Sequence, residues 1–247
     1  MPFTAAHPLA IVPLARVRWL DATALAIGAM APDFMYFARG ELRGNFGHTA
    51  LGIGVWCVPI TLACALLFHE LVKWPLLLVA PRSVAARLAT AARTPWPAHF
   101  AALVPSTILG AITHVVWDSF THGGGFAVRR IAALRTIVTV PVLGTTALHR
   151  VLQHASTVVG LALLAVVIAR WYARQPSVAL PDVPRAWPRV VVAGCLALGI
   201  AALCVRAWWR HAWSLGDLVV APISGSLAGV IVAGLVLREA SERFRRR

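Results

Sequence analysis

Residues 99–122 read HFAALVPSTILGAITHVVWDSFTH. From His99 to Thr121 the only formally charged side chain is Asp118. The run exceeds the roughly 20 apolar residues that a helix needs to cross a bilayer, so it predicts a spanning helix over 99–121. Near its end, His114, Asp118 and His122 recur at every fourth position. On a helix that spacing sets them along one face, rising about 6 Å per step. Gly123-Gly124-Gly125 then supplies a stop, since glycine is favoured just beyond a helix C-terminus.

Working outward, four more apolar runs have a similar length, at 48–72, 151–172, 190–209 and 216–237. Residues 6–38 are also apolar, but Pro8, Pro13, Asp21 and Pro32 interrupt them and predict short helices rather than a span. The composition agrees. The 247 residues are 59% hydrophobic and only 13% charged, whereas soluble domains average about 45–50% and ~25%. The expected fold is an all-α integral membrane bundle of about five spanning helices with short N-terminal helices. Its expected division is a metal-site helical membrane domain over 1–172, then two C-terminal transmembrane helices with a basic tail over 173–247.

The net charge is +14, which raises nucleic acid as a partner. A nucleic-acid binder gathers Lys and Arg on a water-facing patch. Here they stand singly or in small groups between apolar runs, which suits lipid headgroups and topology control. Membrane lipid is therefore the expected partner and nucleic acid is not. Thirteen of the 23 Lys and Arg fall in 73–93, 170–189 and 238–247. Five spans put those segments on one side, so a cytoplasmic C-terminus is expected. Cys57, Cys64, Cys195 and Cys204 all sit in apolar runs without a Cys-x-x-Cys pair, and read as small hydrophobes.

Ionisable groups inside membrane segments are costly and usually functional. Imidazole nitrogens and carboxylate oxygens are ligands for zinc and similar ions, and a central Asp118 can bridge two ions with a histidine serving each. The same stripe also suits a hydrogen-bonded polar seam inside a bundle. Helix alternation adds information that uses no metal assumption. His48 opens the first strong span, His114, Asp118 and His122 close the second, and His154 opens the third, so all reach one membrane face. His69 and His99 belong to the opposite face. His7, before Pro8, and Asp33, in Ala31-Pro32-Asp33-Phe34, complete the candidates.

Several motifs together resemble an uncharacterised bacterial membrane family, the domain of unknown function 4184. They are Met1-Pro2-Phe3-Thr4 with His7-Pro8, Gly28-Ala29-Met30-Ala31-Pro32-Asp33-Phe34, His48, Thr113-His114 through Thr121-His122, and Leu152-Gln153-His154-Ala155-Ser156-Thr157. The resemblance covers residues 1 to about 172. More distantly, the order of these residues is similar to zinc-dependent phospholipases C and membrane-bound metal-dependent hydrolases. That likeness implies His7, Asp33, His48, His114, Asp118, His122 and His154 as metal ligands and zinc as the cofactor. The phospholipase pattern has a Glu four residues after its last ligand His, where this chain has Val158. Two ions are therefore implied rather than three.

Two functional readings follow. One is a membrane-bound metal-dependent hydrolase, in which Asp33 or Asp118 orients the attacking water and the substrate is a lipid or lipid-linked phosphoester. Its expected location is the bacterial inner membrane. The other is a non-enzymatic membrane protein, either a metal-binding scaffold or a transporter-like bundle. Transporters place their polar residues near the midplane, whereas these lie at helix ends.

Overall fold

The computed structural model describes residues 3–39, 45–180, 187–209 and 215–245. The described chain is almost entirely helical. Five helices are long and apolar enough to cross a membrane: Ala50–Val79, Phe100–Arg130, Leu148–Ala173, Trp187–Trp209 and Leu218–Val236. These five candidate spans make the chain a multi-pass membrane protein. Arg246 and Arg247 of the basic tail lie outside the described residues.

The surface suits lipid. On the third span only Gly160 is buried, and Val158, Val159, Leu163, Val166 and Ile168 are exposed. An apolar surface of that extent is not sustained in water. The first span widens into single π-turns at Ile53–Cys57 and Phe68–Val72. Each precedes a proline. Pro59 has no N–H for the carbonyl of Val55, and Pro75 none for that of Leu71, so the helix loosens where each carbonyl loses its partner.

The chain forms two compact units, drawn from 1–33, 45–62 and 97–170 and from 34–44, 63–96 and 171–247. In the first, the prolines and Asp21 break the N-terminal stretch as expected. It runs as 3-10 turns at Thr4–Ile11 and Leu14–Arg16, a helix at Ala22–Gly28 and a 3-10 turn at Ala31–Asp33. Asp21 caps that helix by accepting from the Ala24 N–H at 2.7 Å, and its own N–H donates to Ser106 Oγ at 2.9 Å. The helix crosses the second span at glycines. A Cβ on Gly28 would stand 2.6 Å from the Thr107 carbonyl oxygen, and one on Gly110 would stand 2.4 Å from that of Leu25. Such small-residue crossings bring two backbones close together.

A short antiparallel hairpin pairs Ile137–Val140 with Gly144–Ala147. The all-helical expectation did not include it. Its cue was the β-branched run Ile137-Val138-Thr139-Val140, followed by Gly144, whose positive φ of 66° closes the turn.

In the second unit, the last two spans pack closely. A Cβ on Gly225 would stand 2.3 Å from the Leu198 carbonyl oxygen. Trp74, Leu77, Leu78, Ala85 and Ala92 form its apolar core.

Candidate metal centre

The first unit gathers six of the seven ligand candidates. His114 and Asp118 come from the second span, and His122 from the residue just past its helix. His48 comes from the turn before the first span, Asp33 from the Ala31–Asp33 turn and His7 from the Thr4–Ile11 turn. His7, Asp33, His114 and Asp118 are all buried, Asp33 and His114 completely.

His114 is fixed from behind. Its Nδ1 lies 2.8 Å from the Ala29 carbonyl oxygen. A carbonyl only accepts, so Nδ1 carries a proton and Nε2 is the nitrogen turned to the cluster. That Nε2 lies 3.2 Å from His48 Nε2, 3.3 Å from Asp118 Oδ2 and 3.6 Å from Asp33 Oδ1. His48 Nε2 is 3.5 Å from both Asp33 Oδ1 and Asp118 Oδ2. Ligand atoms bound tetrahedrally at about 2.0–2.1 Å from one ion stand roughly 3.3 Å apart. These five separations fit that value.

The other oxygen of Asp118 faces elsewhere. Its Oδ1 lies 3.5 Å from His7 Nε2 and 3.6 Å from His122 Nδ1. The His7 ring stacks on that of His114 with centroids 3.7 Å apart. His7 Nε2, Asp33 Oδ1, Asp118 Oδ1 and His122 Nε2 are buried and make no hydrogen bond. Buried polar atoms normally have partners, and four orphans in one cluster mark a place built for something the protein itself does not supply. Two sets, His7 with His114 and Asp118, and Asp33 with His48 and His114, are close enough to hold an ion. The donor chemistry and the orphaned atoms both fit a divalent metal.

Charge points the same way. Among the described residues no Lys or Arg pairs with Asp33 or Asp118, whose ion-pair partners are all histidines. Burial pushes the Asp33 carboxyl up, but the facing imidazoles of His114 and His48 and the Thr4 hydroxyl, 2.6 Å from Oδ2, outweigh it and hold the group well below its usual range. Burial lowers the His48 pKa, but the facing Asp118 and Asp33 carboxylates outweigh it and hold the ring above its usual value, as a cation held among carboxylates. Burial and the neighbouring His114 bring His7 down to about 4. His7 is thus neutral at physiological pH, with its lone pair available to a metal.

His154 is not brought to this group. It is exposed, on the helical face of Ala155, Val158 and Val159, whereas Thr157 and Gly160 face the N-terminal segment. Helical register turns it away even though it lies near the start of its span. Sequence reasoning also missed supporting residues. Thr4 holds Asp33, the Ala29 carbonyl orients His114, and Thr157 Oγ1 accepts from the Phe3 N–H at 3.1 Å to pin the strand of chain leading to His7. Thr4 and Thr157 stood in the sequence only as members of the motifs that carry the family resemblance, with no role attached, and a backbone carbonyl leaves no mark on a sequence.

Residues 1–235 match the family described as Domain of unknown function (DUF4184), and the chain belongs to it. No curated protein and no solved structure matches the chain.

Proposed function

We propose that this member of the DUF4184 family is a membrane-bound metal-dependent hydrolase holding two divalent ions, zinc by donor type, and acting on a lipid or lipid-linked phosphoester. The observation that carries this reading is the split of Asp118. Its Oδ2 joins His48, His114 and Asp33, while its Oδ1 faces His7 and His122. The first set offers four protein ligands and suits a closed, structural position. The second offers His7 Nε2 and Asp118 Oδ1, with His122 Nε2, its ring held through Nδ1 by the Asp118 carbonyl, as the nitrogen that would complete it. Three protein ligands leave room for water or substrate, as in catalytic sites.

When bound, such ions supply Lewis-acid polarisation of a phosphoester and water acidic enough to attack at neutral pH. The chain's own part is to hold and orient. Ala29 and the Asp118 backbone carbonyl set the rings of His114 and His122. Thr4 fixes one oxygen of Asp33 and leaves Oδ1 turned to the histidines. Of the two carboxylates, Asp118 is the one we assign to ordering the attacking water, because both oxygens of Asp33 are engaged, one by Thr4 and one in the closed set.

The purified protein should hydrolyse a generic phosphodiester such as bis(p-nitrophenyl) phosphate. Chelation should abolish the activity and zinc should restore it, while His7→Ala should lower it at least 100-fold. Full activity in chelator would overturn the proposal. A protein that binds metal but lacks activity would support the scaffold reading, which the closed four-ligand set favours.

We place the chain in the bacterial inner membrane with its C-terminus in the cytoplasm, from the bias of Lys and Arg. A C-terminal reporter active only in the periplasm would contradict that orientation.

A further inference from the structure

The second unit contains a cavity of about 130 Å³ with both polar and apolar walls. Glu70, Trp74, Gly234, Arg238, Ser241 and Glu242 are among its lining residues. Gly234 lies where the fifth span meets the first. A Cβ there would stand 2.4 Å from the Leu71 carbonyl oxygen, so only glycine lets the helices approach this closely beside the cavity.

Ser241 carries the argument. It is 7% exposed, and its Oγ is buried without a hydrogen bond. A buried helical serine can satisfy its hydroxyl on the carbonyl four residues back. Here that carbonyl, of Leu237, takes the Ser241 N–H at 2.9 Å and the hydroxyl has no partner. A buried hydroxyl is costly unless something bonds to it, and this one belongs to a residue lining the cavity.

The surrounding groups indicate what that partner is. Glu70 and Glu242 offer carboxylates and Trp74 an aromatic ring, while Arg238 offers a guanidinium whose Nε lies only loosely, at 3.5 Å, from Glu242 Oε1. A primary ammonium has three protons to donate, and carboxylates, a hydroxyl and an aromatic ring are its natural surroundings. A phosphate is the natural partner of arginine. The location agrees, because the fifth span ends at Val236 and Arg238 follows at once. That is the level at which a bilayer presents its headgroups.

We propose that this cavity binds a phosphoethanolamine group, with the ammonium at Glu70, Glu242 and Ser241 and the phosphate at Arg238. The assignment does not depend on the metal reading.

The test uses full-length protein in nanodiscs with equal amounts of ethanolamine, choline and glycerol phospholipids of identical chains, and retained lipid is read by native mass spectrometry. The ethanolamine lipid should be enriched at least threefold over the choline lipid, whose trimethylammonium cannot donate hydrogen bonds. Glu70→Gln and Glu242→Gln alter exposed side chains, so folding should persist, and each should bring the ratio close to one. Ser241→Ala should lower it as well. Soluble glycerophosphoethanolamine added in excess separates the two sources of the ligand. If it displaces the lipid, the headgroup suffices and a free phosphoethanolamine compound is a ligand too; if not, the site takes the lipid itself. Equal retention of ethanolamine and choline lipids, unchanged enrichment in both glutamine variants, or retention that depends only on added calcium would overturn the proposal.

Discussion

His7 shows how a single residue couples the fold to the proposed chemistry. Burial and the adjacent His114 lower its pKa from an ordinary 6.5 to about 4. Between those values the unfolded chain binds a proton that the folded chain refuses, so stability rises as pH climbs from about 4 to 6.5 and gains nothing more above. The gap sets a ceiling of ~3 kcal/mol on the effect. Metal-stripped protein should therefore melt at a higher temperature at pH 7 than at pH 4.5, and His7→Gln, which cannot titrate, should lose part of that difference. An identical pH slope in the variant would show that His7 does not carry it. Much of the site was legible at this scale. Asp33, His48, His114 and Asp118 stand out because ionisable groups in apolar runs are expensive. His154 stood out for the same reason, but exposure depends on which helical face a residue occupies. Near a span end, hydropathy does not reveal that face.

At the scale of elements, length and apolarity were enough to locate the five spans, because the bilayer imposes its thickness on any helix that crosses it. The π-turns and the hairpin were not legible. The first depend on where a proline leaves a carbonyl unpaired. The second is a four-residue pairing in a chain dominated by helical signals. The crossing of Ala22–Gly28 over the second span was also hidden, although the site depends on it. A Cβ on Gly110 would lie 2.4 Å from the Leu25 oxygen and 2.7 Å from the Ala29 nitrogen, displacing the residue whose carbonyl orients His114. Gly110→Ala should thus cost about 1–3 kcal/mol in stability and reduce metal retention as well. Gly54→Ala, where a Cβ meets nothing within 4 Å, should leave both unchanged. Thermal melting and metal analysis of the two variants check this, and equal behaviour would remove the crossing from the account.

For the whole molecule, composition alone made a membrane bundle legible, but not how the chain divides. The two units interleave along the sequence, because helices pair by surface fit, whereas a sequence reading tends to cut the chain once. Alternation of spans did predict that His48 would meet His114 and Asp118, and the central claim rests on that meeting. Metal counting on detergent-purified protein tests it most directly. Wild-type protein should hold about two divalent ions per chain and Asp118→Asn, which keeps the size of the side chain but loses its charge, fewer than one, with helicity preserved. Wild-type protein with no metal above the buffer blank, or an Asp118→Asn variant with full occupancy, would contradict it.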